Sequence, residues 1–252
     1  MSKFSKKPVL VEKKYLIPFI AITSMFFLWG VANDVTNPMV SAFKKVMPEL
    51  SNFQAALVQL AFYGGYGTMA IPAALFIRKY NYKSGILIGL LLYAIGAILF
   101  WPAAVYEQFT FFLMSLYILT FGLAFLETTA NPFILSLGDS RTATQRLNLS
   151  QAFNPIGSLM GMAIAQLIII ENLRSDDYSP DAYNALSPDQ IAFIRQEDLN
   201  IISEVYVGLG ILIFAVMFVI FFIKIPGKDE KSKLSVKENI NILRRNKRYY
   251  EG

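Results

Sequence analysis

The residues with the clearest chemical potential lie between Phe121 and Phe133, where Glu127 stands inside an apolar run from Phe109 to Leu137. At 1.5 Å per residue that run is long enough to cross a hydrocarbon core of roughly 30 Å. A carboxylate at such depth costs about 2.5–3.5 kcal/mol on insertion scales, so it must face a partner or a watery cavity. Thr120, Ala124, Glu127 and Asn131 follow one another at steps of three or four, which gathers them into one small and polar stripe of a helix. Pro132 deprives the Thr128 carbonyl of its helical donor and is expected to open the backbone beside the acid. Two readings stand: a structural Glu hydrogen-bonded between helices, or a group that handles a proton and a substrate along a transport path. The cost of burial favours the second.

Other polar side chains are spaced to meet this stripe. Asn33, Asp34, Asn37 and Ser41 fall within an arc of about 100° on a helix. Asn148, Gln151, Asn154 and Ser158 make a similar face, with Pro155 loosening the helix, and Gln59, Tyr63 and Tyr66 add a third. Amides and phenols both donate and accept, which suits a ligand rich in hydroxyls, such as a sugar. The rings of Trp29, Phe62 or Tyr66 are available to stack on an apolar sugar face. The plainer role for each amide is to bond helix to helix, worth perhaps 0.6–2 kcal/mol. Gly157-Ser-Leu-Met-Gly161 and Gly85-Ile-Leu-Ile-Gly89 read as close-packing faces with no chemistry of their own.

The elements that must position these groups are membrane helices. The 252 residues are 55% hydrophobic and only 16% charged, a composition expected of repeated apolar runs near twenty residues. Six spans are expected at about 15–43, 53–77, 84–104, 109–137, 147–170 and 200–223, with an outer loop at 171–199 and a linker at 224–252. A cleaved leader is not expected, since the first run is too long and lacks a small-residue cleavage site. Ser-Pro steps at 179–180 and 187–188 mark turns or helix starts in the outer loop. Lys and Arg divide 19 to 4 between the segments 1–14, 78–83, 138–147 and 224–252 and the alternate loops. The first set, and with it both termini, is therefore expected in the cytoplasm of a cell with this chain in its inner or plasma membrane.

The composition also excludes. There is no Cys and no His, so disulfides, thiolate chemistry, His triads and His metal sites are ruled out. A membrane enzyme working with Glu127 and Asp34 lacks a paired-acid motif, so the chain is not expected to be an enzyme, and no cofactor or metal is expected. The net charge of +5 lies in loops rather than on a basic stripe with aromatics, so nucleic acid is not an expected partner.

Spans one and four share a short pattern. Gly30-Val-Ala-Asn-Asp34-Val-Thr-Asn37-Pro38 and Gly122-Leu-Ala-Phe-Leu-Glu127-Thr-Thr-Ala-Asn131-Pro132 each run from Gly-x-Ala through an acid and Thr to Asn-Pro. Three spans apart, the copies cross the membrane in opposite directions, as paired Pro-interrupted helices of inverted halves do around transporter sites.

At these residues the sequence resembles the amino-terminal half of the fucose–proton symporter family of the major facilitator superfamily. The resemblance covers about Phe26 to Gln166. It is carried by Phe-Leu-Trp-Gly at 27–30, Asn52-Phe-Gln-Ala-Ala-Leu-Val-Gln59, Tyr82-Lys-Ser-Gly-Ile86, Leu126-Glu-Thr-Thr-Ala-Asn-Pro-Phe133 and Arg146-Leu-Asn-Leu-Ser-Gln-Ala-Phe-Asn154. It implies a six-helix half built from 3+3 inverted repeats and a proton-coupled sugar symporter, for L-fucose or a related hexose. Glu127 would carry a proton and contact sugar, and Gln151 and Asn154 would bind its hydroxyls. Proton coupling would fall to Glu127 and Asp34, and Asn33, Asn37, Gln59, Tyr63 and Asn131 would complete the sugar site. The family's span-one pattern ends in a proton-coupling Asp. Here Asn37 holds that position and the acid stands at Asp34. The resemblance also implies a second six-helix half, which this chain lacks; a sugar sensor or six-helix assembly partner that does not transport is the alternative.

Overall fold

The computed structural model describes residues 9–223. The first eight residues of the basic amino-terminal segment and the 224–252 linker lie outside the described residues. All regular structure among the described residues is helical, and six helical segments are long and apolar enough to cross a membrane.

The first crossing is broken into α1 (Leu16–Thr36) and α2 (Met39–Val46). Pro38 has no N–H for the Asp34 carbonyl, and the Asn37 side chain donates instead to the Asp34 carboxylate at 2.6 Å. The second is α3 (Asn52–Lys79), which opens on a capping box: the Gln54 N–H bonds the Ser51 hydroxyl at 3.2 Å, and the Ser51 N–H bonds the Gln54 side chain at 2.9 Å. The third comprises α4 (Tyr82–Ile98), capped by Asn81, and α5 (Phe100–Val105). The fourth is α6 (Phe109–Ser136).

The fifth crossing comprises α7 (Ala143–Gln151) and α8 (Phe153–Ile164), followed by a π-helical turn at Ala165–Ile169. The break at Ala152 follows from Pro155, which cannot donate to the Gln151 carbonyl. After a short α9 (Pro180–Asn184), α10 (Pro188–Phe222) makes the sixth crossing.

Two expectations need correction. Residues 188–199, read as loop, are the first turns of α10. Ser187 and Gln190 form a second capping box there, at 3.3 and 3.0 Å, and Pro188 occupies the first turn. The anticipated opening at Pro132 is also absent, since α6 runs unbroken through it. The Asn131 amide donates to the Glu127 carbonyl at 3.2 Å and holds the turn together from outside. The two Asn-Pro steps thus differ: one splits its crossing near an end and the other sits inside an intact helix.

α1, α4 and α6 occupy the centre, while α3, α8 and α10 turn most of their surface outward. The glycines explain the close contacts. A Cβ on Gly157 would stand 1.9 Å from the Phe27 carbonyl oxygen, and one on Gly30 2.1 Å from that of Asn154, so α1 and α8 touch backbone to backbone. Gly89, Gly96 and Gly122 do the same between α4 and α6. The first crossing packs on the fifth and the fourth on the second. That exchange is what 3+3 inverted repeats require.

The two ends of the bundle are tied differently. At the end where α3 stops and α4 begins, the Lys83 ammonium donates to the Phe221 and Ile223 carbonyls at 2.6 and 2.9 Å. At the opposite end, Lys45 pairs with Asp176 at 2.5 Å and Arg195 with Glu49 at 3.0 Å, and the buried Asp198 carboxylate accepts the Arg174 and Ser175 N–H groups.

Candidate functional site

Between α3 and α6 lies an open cavity of about 570 Å³, lined by Tyr66, Gly67 and Ala70 on one side and by Ala124, Glu127, Thr128, Asn131 and Pro132 on the other. Glu127 is half-buried and is the one ionisable acid on this lining, which includes no Lys or Arg. The small residues Gly67 and Ala70 of α3 and Ala124 of α6 keep the space open, and Ala124, Glu127 and Asn131 of the expected α6 stripe share the lining. Thr120 departs from that stripe. It is fully buried, bonds the Leu116 carbonyl at 2.8 Å and packs against Gly65 of α3, so it belongs to the helix contact.

Hydrogen bonds commit much of the polar lining. The Thr128 hydroxyl donates to the Ala124 carbonyl at 2.7 Å, leaving only its lone pairs for a ligand. Asn131 accepts from the Gln151 amide at 3.2 Å through its side-chain oxygen. Gln151 is thereby joined to the cavity from α7 though it does not line it. Tyr66 accepts the indole N–H of Trp29 at 2.8 Å, which connects the cavity to α1.

The remaining expected site residues lie off this lining. Asn154 donates to the Phe26 carbonyl at 3.2 Å across the tight α1–α8 contact, so its amide joins helices here. Asp34 and Asn37 hold each other at the break in the first crossing, away from Glu127's lining. The Tyr63 side chain is 62% exposed on α3, and Gln59 is half-buried one turn before it. Asn33 is half-buried with its side-chain oxygen enclosed and unpartnered. Helical spacing predicts which groups share one face, but it does not say which neighbour that face meets.

One residue that carries much of the site's support entered the sequence reading only as the head of the Arg146–Asn154 motif, with no role assigned. The Arg146 side chain is wholly buried. Its guanidinium donates to the Ile134, Leu135, Asp139 and Leu10 carbonyls at 3.2, 2.9, 3.0 and 3.2 Å and to the Thr142 hydroxyl at 2.8 Å. It thus caps the last turn of α6, the helix that carries Glu127. The available signal was an Arg next to an apolar run, ten residues beyond the end of α6. Beside it, Arg141 donates to both oxygens of the Asp139 carboxyl and lowers its pKa to about 2. That pairing is intact at neutral pH and is lost only as acid titrates the folded carboxyl.

These helices define a polytopic membrane protein with an acid-bearing cavity open between two of them. The chain belongs to the Major Facilitator Superfamily, whose family model matches residues 16–250. It is 54% identical over 248 residues to the L-fucose-proton symporter of Haemophilus influenzae, covering 96% of this chain and 58% of that one. It is 37% identical to the Escherichia coli L-fucose-proton symporter, covering 90% and 51%. A Brucella abortus glucose/galactose transporter is 35% identical over 159 residues, covering 63% and 38%. A crystal structure of the Escherichia coli fucose:proton symporter superposes with a TM-score of 0.80 at 36% identity, covering 92% of this chain and 56% of that one. The chain therefore spans about half the length of the curated relatives it matches.

Proposed function

We propose that this chain supplies the amino-terminal six-helix half of a proton-coupled sugar symporter that takes up L-fucose or a related hexose. The observation that carries the reading is Glu127, an acid that lines a membrane-depth cavity with no cation on the same lining. An ionised carboxylate is costly there unless it gains a proton or a ligand, which links its two states to what the cavity holds. The names of the relatives supply the sugar class and the proton. Glu127 and Asn131 contact the sugar, Gln151 orients Asn131, and Asp34 is the second candidate for proton coupling. Asn33, Asn37, Gln59, Tyr63 and Asn154 enter the site only if the helices rearrange or a second half completes the wall. The chemistry of this reading is transport, the activity carried by the names of the relatives. The exposed apolar faces of α3 and α8, including Leu60, Ile71, Ile156 and Leu159, are where lipid and a second half would pack.

Sugar uptake tests this directly. In liposomes this chain alone is expected to give no uptake above empty controls, since half the cavity wall is missing. Co-reconstituted with the second six-helix half of the Haemophilus influenzae relative, it is expected to concentrate L-fucose when the outside is acidic. No sugar binding or uptake by that assembly would overturn the reading, and uptake by this chain alone would assign transport to a self-assembled form.

The expected sidedness places both termini in the cytoplasm and residues 171–187 outside. The chain has no Cys, so Asp181→Cys gives a single reactive thiol on an exposed position. An impermeant maleimide added to intact cells is expected to label it. Labelling that requires broken membranes would reverse the topology.

A further inference from the structure

Tyr66 faces Glu127's cavity from α3, and its hydroxyl is constrained from behind. A phenol has one hydrogen to donate and two lone pairs to accept with, whereas an indole N–H can only donate. The Trp29–Tyr66 bond at 2.8 Å therefore fills a lone pair of Tyr66 and leaves its proton uncommitted. The neighbouring cavity groups are committed differently. Thr128 has spent its proton on the Ala124 carbonyl and keeps only lone pairs, while Asn131 has one N–H on the Glu127 carbonyl and accepts from Gln151, which leaves it one N–H. An ionised Glu127 only accepts, and a protonated one also donates. Among these groups the Tyr66 hydroxyl is the donor on the α3 wall, and the Trp29 bond fixes its direction.

We propose that Tyr66 is a specificity-determining residue that donates its hydroxyl hydrogen to one oxygen of the bound sugar, and that Trp29 is the positioning residue that fixes the direction of that donation. The inference rests on the sugar-symport reading and deepens it. It assigns Trp29 to orienting Tyr66 through its indole N–H, in place of a stacking platform. A sugar lacking the recognised oxygen leaves the Tyr66 hydroxyl without its acceptor, whereas its contacts with Glu127, Thr128 and Asn131 on the α6 wall remain served.

The test is sugar affinity measured on the assembly of this chain with the second half of its Haemophilus influenzae relative, using L-fucose and its series of monodeoxy analogues. Tyr66→Phe keeps the ring and removes the hydroxyl. It is expected to weaken L-fucose binding roughly 5- to 100-fold, the range of a lost buried hydrogen bond. For one deoxy analogue the loss seen with the parent is expected to vanish in Tyr66→Phe, while the other analogues lose affinity equally in both. Trp29→Phe is expected to weaken binding less, and Tyr66→Phe with Trp29→Phe to be no weaker than Tyr66→Phe alone, since Trp29 acts through the hydroxyl. A merely structural role would lower all affinities together and would not select one analogue. Equal losses for every analogue in parent and Tyr66→Phe, or additive effects of the two substitutions, would overturn the inference. Failure of the parent assembly to bind any of these sugars would overturn the functional reading and this inference with it.

Discussion

Glu127→Gln is expected to abolish gradient-driven sugar accumulation while leaving sugar-for-sugar exchange. The carboxyl is half-buried on a cavity whose lining offers it no cation, and its own backbone carbonyl is already engaged by Asn131. Gln keeps the size and the helix contacts and imitates the neutral acid, with a carbonyl and N–H donors fixed in place. It cannot take a proton up on one side and release it on the other. If sugar binds the protonated form, proton and sugar each tighten the other's binding by the same factor, and Gln removes that coupling. One pH unit across the membrane supports about tenfold accumulation at one proton per sugar, because 1.4 kcal/mol is a factor of ten. In the assembled protein carrying this change, the ratio of inside to outside sugar is expected to fall to unity under the same gradient, with counterflow of preloaded sugar retained. Accumulation equal to the parent's would shift proton coupling to Asp34 or to the second half.

Asp34 shows what spacing does and does not give. Its spacing with Asn37 places the two on one helical arc, and they do meet there, Asn37 donating to the Asp34 carboxylate beside the Pro38 break. What the spacing does not give is that this pair lies off the lining that carries Glu127. Length and hydropathy made the crossings legible because each depends only on residues within one segment. The capping boxes at Ser51 and Ser187 are equally local, and Gln190 three residues after Ser187 was the overlooked sign that α10 starts early. Pro132 was misjudged because a proline's effect depends on how firmly the turns beside it are held. Within the bundle the Asn131 side chain secures the neighbouring turn, while Pro38 lies near an end where a break sacrifices fewer bonds. Which partner a residue meets across helices was only partly legible. Gly157 read as a close-packing position and packs on α1, and helix-to-helix bonding was the plainer reading of each amide, but the particular Asn154 bond to the Phe26 carbonyl could not be read from spacing.

Arg146→Met is expected to be the most destabilising of these changes, by roughly 3–5 kcal/mol, read as a lower melting point in detergent and a lower yield in membranes. The methionine fills much of the same volume but supplies no donor. It would strand the Ile134 and Leu135 carbonyls at the end of α6 and release the Leu10 and Asp139 carbonyls that join the amino-terminal segment and the turn to them. Each such buried acceptor costs about 1–3 kcal/mol when left unpaired. Relaxation and entering water return part of that, which is why the expected total is below the sum. Arg146→Lys should recover only a fraction, since an ammonium is a compact charge and cannot spread donors over these separate carbonyls as the planar guanidinium fork does. Arg141→Met is the control. Its ion pair with Asp139 lies at the surface where solvent screens it, so its removal is expected to leave the melting point near the parent's. Similar losses at both positions would mean that the loop's positive charge, and not the capping of α6, is what matters. A parent-like melting point for Arg146→Met would show that the end of α6 holds without it, and that Glu127 is positioned by its contacts with α3 and α4 alone.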